Sequence, residues 1–226
     1  MRFRLVYEGP LRSLSEEDRD DKKSLRRGTE KQNIRKFFHP QLKELWNTNK
    51  LLSTTKIPKG GRQVAIPIDA NHGGFSFYSS SKMVASEERP LVDYVADQYP
   101  QFGYKFVPLV REKWTLACGL EILFLRRDPP GSLWTAGDID NRVKTLIDGL
   151  RMPKCVAELG DYKDPAADET PFFCLLEEDK SVTALTVETD TLLKPLPPDG
   201  DASWAHVVIT ADVRPYAVTT FNLALA

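Results

Sequence analysis

The most informative segment of this sequence is Gly137-Asp138-Ile139-Asp140-Asn141-Arg142-Val143-Lys144, and 35 residues beyond it comes Asp179-Lys180-Ser181-Val182. After its first aspartate, apolar residues recur at intervals of four, three, one and three up to Leu150, which is the spacing of an amphipathic helix. Pro153 then predicts that the helix ends near Arg151.

This helix would carry charged side chains near its start. Asp138 stands at the N-cap position, and Asp140 and Lys144 lie one turn apart. A third carboxylate, Asp179, precedes residues 183–188, whose alternation predicts a half-buried strand. Three converging carboxylates supply the oxygen ligands that Mg²⁺ prefers. With a lysine to stabilise a developing oxyanion, the pattern points to cleavage of a phosphodiester.

A purely structural interpretation of the helix start stays open. An aspartate at the N-cap and another in the first turn are common stabilising choices, and so is the Asp140–Lys144 pair at i,i+4. The acidic run Glu177-Glu178-Asp179 weighs against this interpretation. Three adjacent acidic residues before a strand are unfavourable unless a cation or a basic partner lies nearby.

The order of these segments resembles the RusA family of Holliday-junction resolvases. The shared pattern is a strand, an Asp-x-Asp-Asn-x-x-Lys helix, and an acidic pair with valine three residues beyond its second member. The resemblance is best from about Thr115 to Tyr216, where Leu116–Phe124 matches the strand before the site and Trp204–Thr210 matches the closing strand. Phe3–Pro10 resembles the first strand of the family.

The resemblance implies a Mg²⁺-dependent endodeoxyribonuclease that resolves branched DNA in recombination and repair. Asp138, Asp140 and Asp179 would bind Mg²⁺, with Mn²⁺ as a substitute, and Lys144 would be required for cleavage. Such a metal lowers the pKa of a water nucleophile. The resemblance also implies a homodimer whose two sites nick opposed strands of a four-way junction.

The chain departs from the family pattern in length, since family members are typically much shorter than 226 residues. Insertions are predicted at Thr55–Tyr104 and at Met152–Leu176. The second insertion separates the helix from Asp179. Three other acidic residues are therefore alternatives for the third ligand: Glu177, Glu178 and Asp168.

The predicted fold is one RusA-like nuclease domain over residues 1–226. It is of the α/β class with α+β character, a mixed β-sheet packed with helices and elaborated by both insertions. A hydrophobic content of 41% is sufficient for a sizeable core. Residues Thr29–Asn47 have the spacing of a further helix, which Pro40 should kink or split.

The net charge of −1 conceals a strong asymmetry along the chain. Residues 1–62 hold 16 Lys and Arg against 8 Asp and Glu, whereas residues 157–201 hold 3 against 12. A basic region beside an acidic pocket suits an enzyme that holds a polyanion, although a solvated helical face explains individual lysines equally well. Seven basic residues are predicted to contact DNA: Lys22, Lys23, Arg26, Arg27, Arg126, Arg127 and Arg142.

Cysteine usage and hydropathy predict a cytoplasmic protein. The three cysteines show no paired or metal-ligand spacing, and neither a signal-peptide run nor a membrane span is evident. Two other functions remain open. One is a related metal-dependent nuclease that acts on non-junction DNA or on RNA in a phage or defence context, and the other is a non-catalytic nucleic-acid-binding protein on the same fold.

Overall fold

The structure is a computed structural model. It describes residues 1–12, 21–58, 63–67, 75–79, 88–127, 138–198, 200, 203–218 and 222. For residues 21–24, 58, 63–67, 75–79 and 138 the description covers the backbone only.

The described residues form a mixed α/β fold in which mixed sheets pack against helices. The strands are β1 (Arg2–Pro10), β2 (Lys56–Pro58), β3 (Gln63–Pro67), β4 (Phe75–Ser79), β5 (Glu88–Pro90), β6 (Pro100–Gln101), β7 (Tyr104–Val110), β8 (Leu116–Arg126), β9 (Phe172–Leu176), β10 (Val182–Thr191) and β11 (Trp204–Pro215). The α-helices are α1 (Asp21–Thr48), α2 (Lys50–Thr54), α3 (Leu91–Ala96) and α4 (Asp138–Leu150). Short 3₁₀ turns lie at Glu112–Trp114, Val156–Leu159 and Asp179–Ser181.

The central sheet has the strand order β1-β11-β8-β10. β11 is antiparallel to both β1 and β8, whereas β10 is parallel to β8. Alternate residues of β8 and β11 are buried and form one wall of the core, as expected for strands with one face on a core. The other described sheets have the orders β3-β4-β2-β5 and β6-β7-β9.

Two helices cover the buried face of the central sheet. α1 contributes Ile34, Phe38 and Trp46 to the core, and α4 contributes Leu146 and Leu150. The helices approach each other closely at Gly149, where an added Cβ would lie 2.3 Å from Cγ2 of Ile34. Glycine is therefore required at this crossing, because any side chain would push the helices apart.

The prediction of the site helix is confirmed, since α4 runs from Asp138 to Leu150. The strand before it is also confirmed as β8. The prediction that residues 183–188 are half-buried is wrong, because all six are exposed. β10 lies at the edge of the central sheet, and the side chains on both of its faces are exposed to solvent.

The helix predicted at Thr29–Asn47 is longer than expected, because α1 already begins at Asp21. It continues through Pro40 without a split. Proline inside a helix removes one backbone hydrogen bond. Buried side chains on both sides of it, Phe38 and Leu42, pack into the same core and hold the helix together.

His39 of α1 makes hydrogen bonds to β9 and to the segment that precedes it. Its Nδ1 accepts a hydrogen bond from the Phe173 backbone N–H at 2.9 Å, and its Nε2 lies 3.2 Å from the Asp168 carbonyl oxygen. Nε2 therefore donates and the ring is neutral. Burial lowers the pKa of His39, helped by the charge of Lys43, and outweighs the hydrogen bond to Asp168 and the charge of Glu169.

Acidification is expected to weaken this attachment. The folded pKa of His39 lies below the unfolded value of about 6.5, so its contribution is complete above that pH and is lost as the pH falls below it. Between about pH 7 and pH 5 the free energy of unfolding should fall by at most ~1.4 kcal/mol per pH unit from this residue. Urea unfolding should give a shallower pH dependence for His39→Gln. An equal pH dependence of the free energy of unfolding for the wild type and His39→Gln would contradict the lowered pKa of His39.

Candidate functional site

The start of α4 presents two of the predicted site residues at the surface. Asp140 and Lys144 are both exposed and lie one helical turn apart on the same face. The opposite face buries Val143 and Leu146 in the core, which fixes the rotation of the helix. The backbone of Asp138 begins the helix, whereas its side chain lies outside the described residues.

Asp179 is held by basic residues that follow α4 in the chain. Both of its carboxylate oxygens accept from Nζ of Lys154, at 3.0 and 3.1 Å, and Nε of Arg151 lies 3.8 Å away. Partial burial disfavours the charged carboxylate, but the hydrogen bonds and charge of Lys154 and the charge of Arg151 outweigh it. The pKa of Asp179 therefore lies below its ordinary value.

The described contacts of Asp179 are with residues beyond the end of α4. The Arg151 guanidinium folds back onto Asp148, with Nη2 2.7 Å from Oδ1, so Arg151 is a neighbour of both Asp148 and Asp179. Asp148 is eight residues from Asp140, or about 12 Å along the helix axis. Carboxylates that share one Mg²⁺ each lie about 2.1 Å from the ion. Asp140 and Lys144 thus share one face at the start of α4, whereas the described partners of Asp179 follow the last turn of the helix.

The three alternative third ligands also have other neighbours. Oε2 of Glu177 accepts from the Glu112 backbone N–H at 2.9 Å, and Glu178 lies 3.3 Å from Nζ of Lys180. Asp168 is exposed beside His39. Within the described part of the chain, no group of three or more His, Cys, Asp or Glu side chains is arranged to hold a metal ion.

A buried group of charges lies where α4 ends, and the sequence interpretation did not identify it. We call it the helix-end charge cluster; its members are Lys31, Arg35, Asp148, Arg151 and Glu158. The Arg151 guanidinium binds Glu158 with two hydrogen bonds of 2.7 and 2.9 Å and also pairs with Asp148. Lys31 pairs with the second oxygen of Asp148 at 2.7 Å.

Arg35 joins this cluster to the backbone at the end of α4. It is 1% exposed, and it donates to the carbonyl oxygens of Asp148 and Arg151 at 3.0 and 2.7 Å. These carbonyls belong to the last turn, whose acceptors have no partner within a helix. Burial disfavours ionised Glu158, but its hydrogen bonds from Arg151 and Lys154 lower its pKa overall. The cluster therefore links α1 to the end of α4 through ion pairs and hydrogen bonds.

The predicted DNA contacts differ in accessibility. Arg126 and Arg142 are buried, at 3% and 8% exposure, so little of either side chain can reach a phosphate. Arg127 is at the surface, where Nη2 donates to the Lys194 carbonyl at 3.0 Å. Arg26 is exposed and Arg27 is half-buried on α1. The side chains of Lys22 and Lys23 lie outside the described residues.

None of the helices in the described ranges has the length and apolar composition needed to cross a membrane. No family model, curated protein or solved structure matches the chain.

Proposed function

We propose that this chain is a divalent-metal-dependent DNA endonuclease that acts on branched DNA, as its resemblance to the RusA family implies. One observation carries the proposal. The Asp-x-Asp-Asn-x-x-Lys segment forms an amphipathic helix whose apolar face is buried and whose Asp140 and Lys144 are exposed one turn apart. Asp140 and Lys144 are thus accessible to a substrate.

The donor set at this helix start fits a hard cation. Asp138 and Asp140 offer carboxylate oxygens, the ligands that suit Mg²⁺ or Mn²⁺. A metal bound there would supply charge stabilisation at the scissile phosphate and a water of lowered pKa. Lys144 would neutralise the charge that develops on the phosphate, or would donate to the leaving oxygen as its bond to phosphorus breaks.

Asp179 remains a predicted third ligand, although its carboxylate is paired with Lys154 and lies near Arg151. To bind an ion near Asp140 its carboxylate would have to exchange Lys154 and Arg151 for the metal. The proposal therefore rests on the helix pair and Lys144. Homodimer formation and recognition of a four-way junction are proposed from the family resemblance alone.

A second candidate function is favoured by the same observation. A non-catalytic nucleic-acid-binding protein would retain the fold while Asp179 serves only as the ion-pair partner of Lys154. In that case the exposed Asp140 and Lys144 would be an ordinary stabilising pair on a helix surface.

A substrate panel separates these functions. The protein is incubated with a synthetic four-way junction, a flap, a linear duplex and a single-stranded RNA, each with Mg²⁺ or with EDTA. We expect Mg²⁺-dependent paired nicks in the junction. Cleavage of another substrate would indicate the related nuclease instead. Binding without cleavage under Mg²⁺ and under Mn²⁺ would identify the non-catalytic protein.

A further inference from the structure

A cleft of about 480 Å³ opens between the end of β1, the first half of α1 and the start of β11. The strand ends are adjacent because Pro10 pairs with Trp204, and the next residue of β11, Ala205, pairs with Arg126 at the end of β8. The volume lies within the range of about 300–1,000 Å³ typical of ligand pockets.

Aromatic rings form part of the lining of this cleft. Phe37 is 40% exposed, and Trp204 is half-buried. Buried Tyr7 also lines the cleft, and its ring contacts Phe37 edge to face at a centroid distance of 5.0 Å. The Tyr7 hydroxyl donates to the Pro10 carbonyl at 2.7 Å, which fixes the ring. The fixed Tyr7 ring packs against Phe37, so the exposed part of Phe37 presents an apolar surface backed by a second ring.

Two guanidinium groups and three carboxylates also line the cleft, and two of the carboxylates have other partners, Glu8 with Lys194 and Asp161 with Thr29. Arg12 and the exposed Arg26 line the same cleft, one from the chain after β1 and one from α1. Arginine suits phosphate because its planar donors match the phosphate oxygens. Glu30 lies against the strand end, with Oε1 accepting from the Arg12 backbone N–H at 3.0 Å, and a carboxylate can accept from the amino group of a base.

We propose that this cleft binds one unpaired nucleotide of a DNA strand, with its base against Phe37 and Trp204 and its phosphate near Arg12 and Arg26. The inference rests on the proposed function in taking DNA as the substrate. Grooves that bind single strands combine cationic side chains with aromatic surfaces on which bases stack. A base in an intact duplex would have to be flipped out to enter. The cleft thus selects unpaired nucleotides, such as those at a branch point.

Binding without cleavage tests this inference. Fluorescence anisotropy is measured with a labelled short single strand and with the matching duplex, both in EDTA. Loss of one base–aromatic stack typically weakens binding about fivefold or more. We expect Phe37→Leu to show that loss for the single strand and no change for the duplex, and we expect Phe37→Tyr to retain the wild-type affinity. Phe102→Leu is the matched control, because Phe102 is similarly exposed and is not among the residues that line the cleft.

Several outcomes would overturn the inference: no single-strand binding by the wild type, equal binding by Phe37→Leu, or equal losses for single strand and duplex. Thermal unfolding of each variant shows whether it is folded. The two proposals fail separately. If no substrate is cut but the variants behave as expected, the nuclease proposal fails and the cleft stands. If the junction is cut but Phe37→Leu binds normally, the cleft fails and the nuclease stands.

Discussion

Replacing Asp140 with asparagine is expected to lower the rate of DNA cleavage by about 100-fold or more, because it removes a charged metal ligand without changing side-chain size. The side chain is exposed, so the free energy of unfolding should change by less than about 0.5 kcal/mol. Lys144→Met should cause a loss of similar size, since it removes the cation that stabilises the developing charge. Single-turnover cleavage of a labelled junction in Mg²⁺ measures both losses.

Asp190→Asn is the matched control. Asp190 is an exposed aspartate on β10, and its Oδ1 accepts only from the neighbouring Thr191 backbone N–H among the described contacts. Its replacement should leave the rate within about twofold of the wild type. An unchanged rate for Asp140→Asn would contradict the assignment of the site.

Asp179→Asn addresses the third ligand. The described arrangement predicts a smaller loss of rate for this variant than for Asp140→Asn, because the Asp179 carboxylate is already paired with Lys154 and lies near Arg151. An equal loss would show that Asp179 reaches the metal, as the family resemblance implies. The same assay distinguishes the two results.

Replacing Arg151 with methionine is expected to destabilise the protein by about 3–5 kcal/mol. Arg151 is 2% exposed and pairs with buried Asp148 and half-buried Glu158, which would lose its guanidinium and keep Lys31 and Arg35 as their described cationic neighbours. Removing one partner of a buried ion pair costs about this much, because the remaining charge stays desolvated. Urea denaturation at neutral pH measures the change.

Two further variants show whether the effect arises from burial. Arg151→Lys keeps the charge but loses the two-pronged contact with Glu158, so its destabilisation should be intermediate. Lys180→Met removes an exposed pair with Glu112, so it should lower the free energy of unfolding far less than Arg151→Met does. A loss below about 1 kcal/mol for Arg151→Met would show that the helix-end charge cluster does not clamp α1 to α4.

The helix and strands around the site could be predicted because their signals are local. The apolar spacing up to Leu150 determines both the extent of α4 and the face on which Asp140 and Lys144 lie. Pro40 shows where a local signal is insufficient, because proline alone predicts a kink or a split in the helix. Its neighbours pack well enough in the core that one helix continues through it.

Contacts between distant segments could not be predicted. Asp148 shares its helical periodicity with Asp140, yet it is buried against Lys31 and Arg151 because α1 crosses α4 at that level. Asp179 is held by Lys154, a partner that only the folded chain brings close. β10 has the alternation of a half-buried strand, but burial depends on its position at the edge of the sheet.

Binding of a divalent metal at the first turn of α4 is tested most directly by iron-dependent cleavage of the polypeptide. Fe²⁺ is bound in place of Mg²⁺, ascorbate and peroxide generate hydroxyl radicals at the ion, and mass spectrometry locates the broken backbone positions. We predict cuts at residues 137–141 that excess Mg²⁺ suppresses and that Asp140→Asn abolishes. Cuts confined to residues 148–158 and 177–181, or no cuts that Mg²⁺ suppresses, would contradict the proposed site.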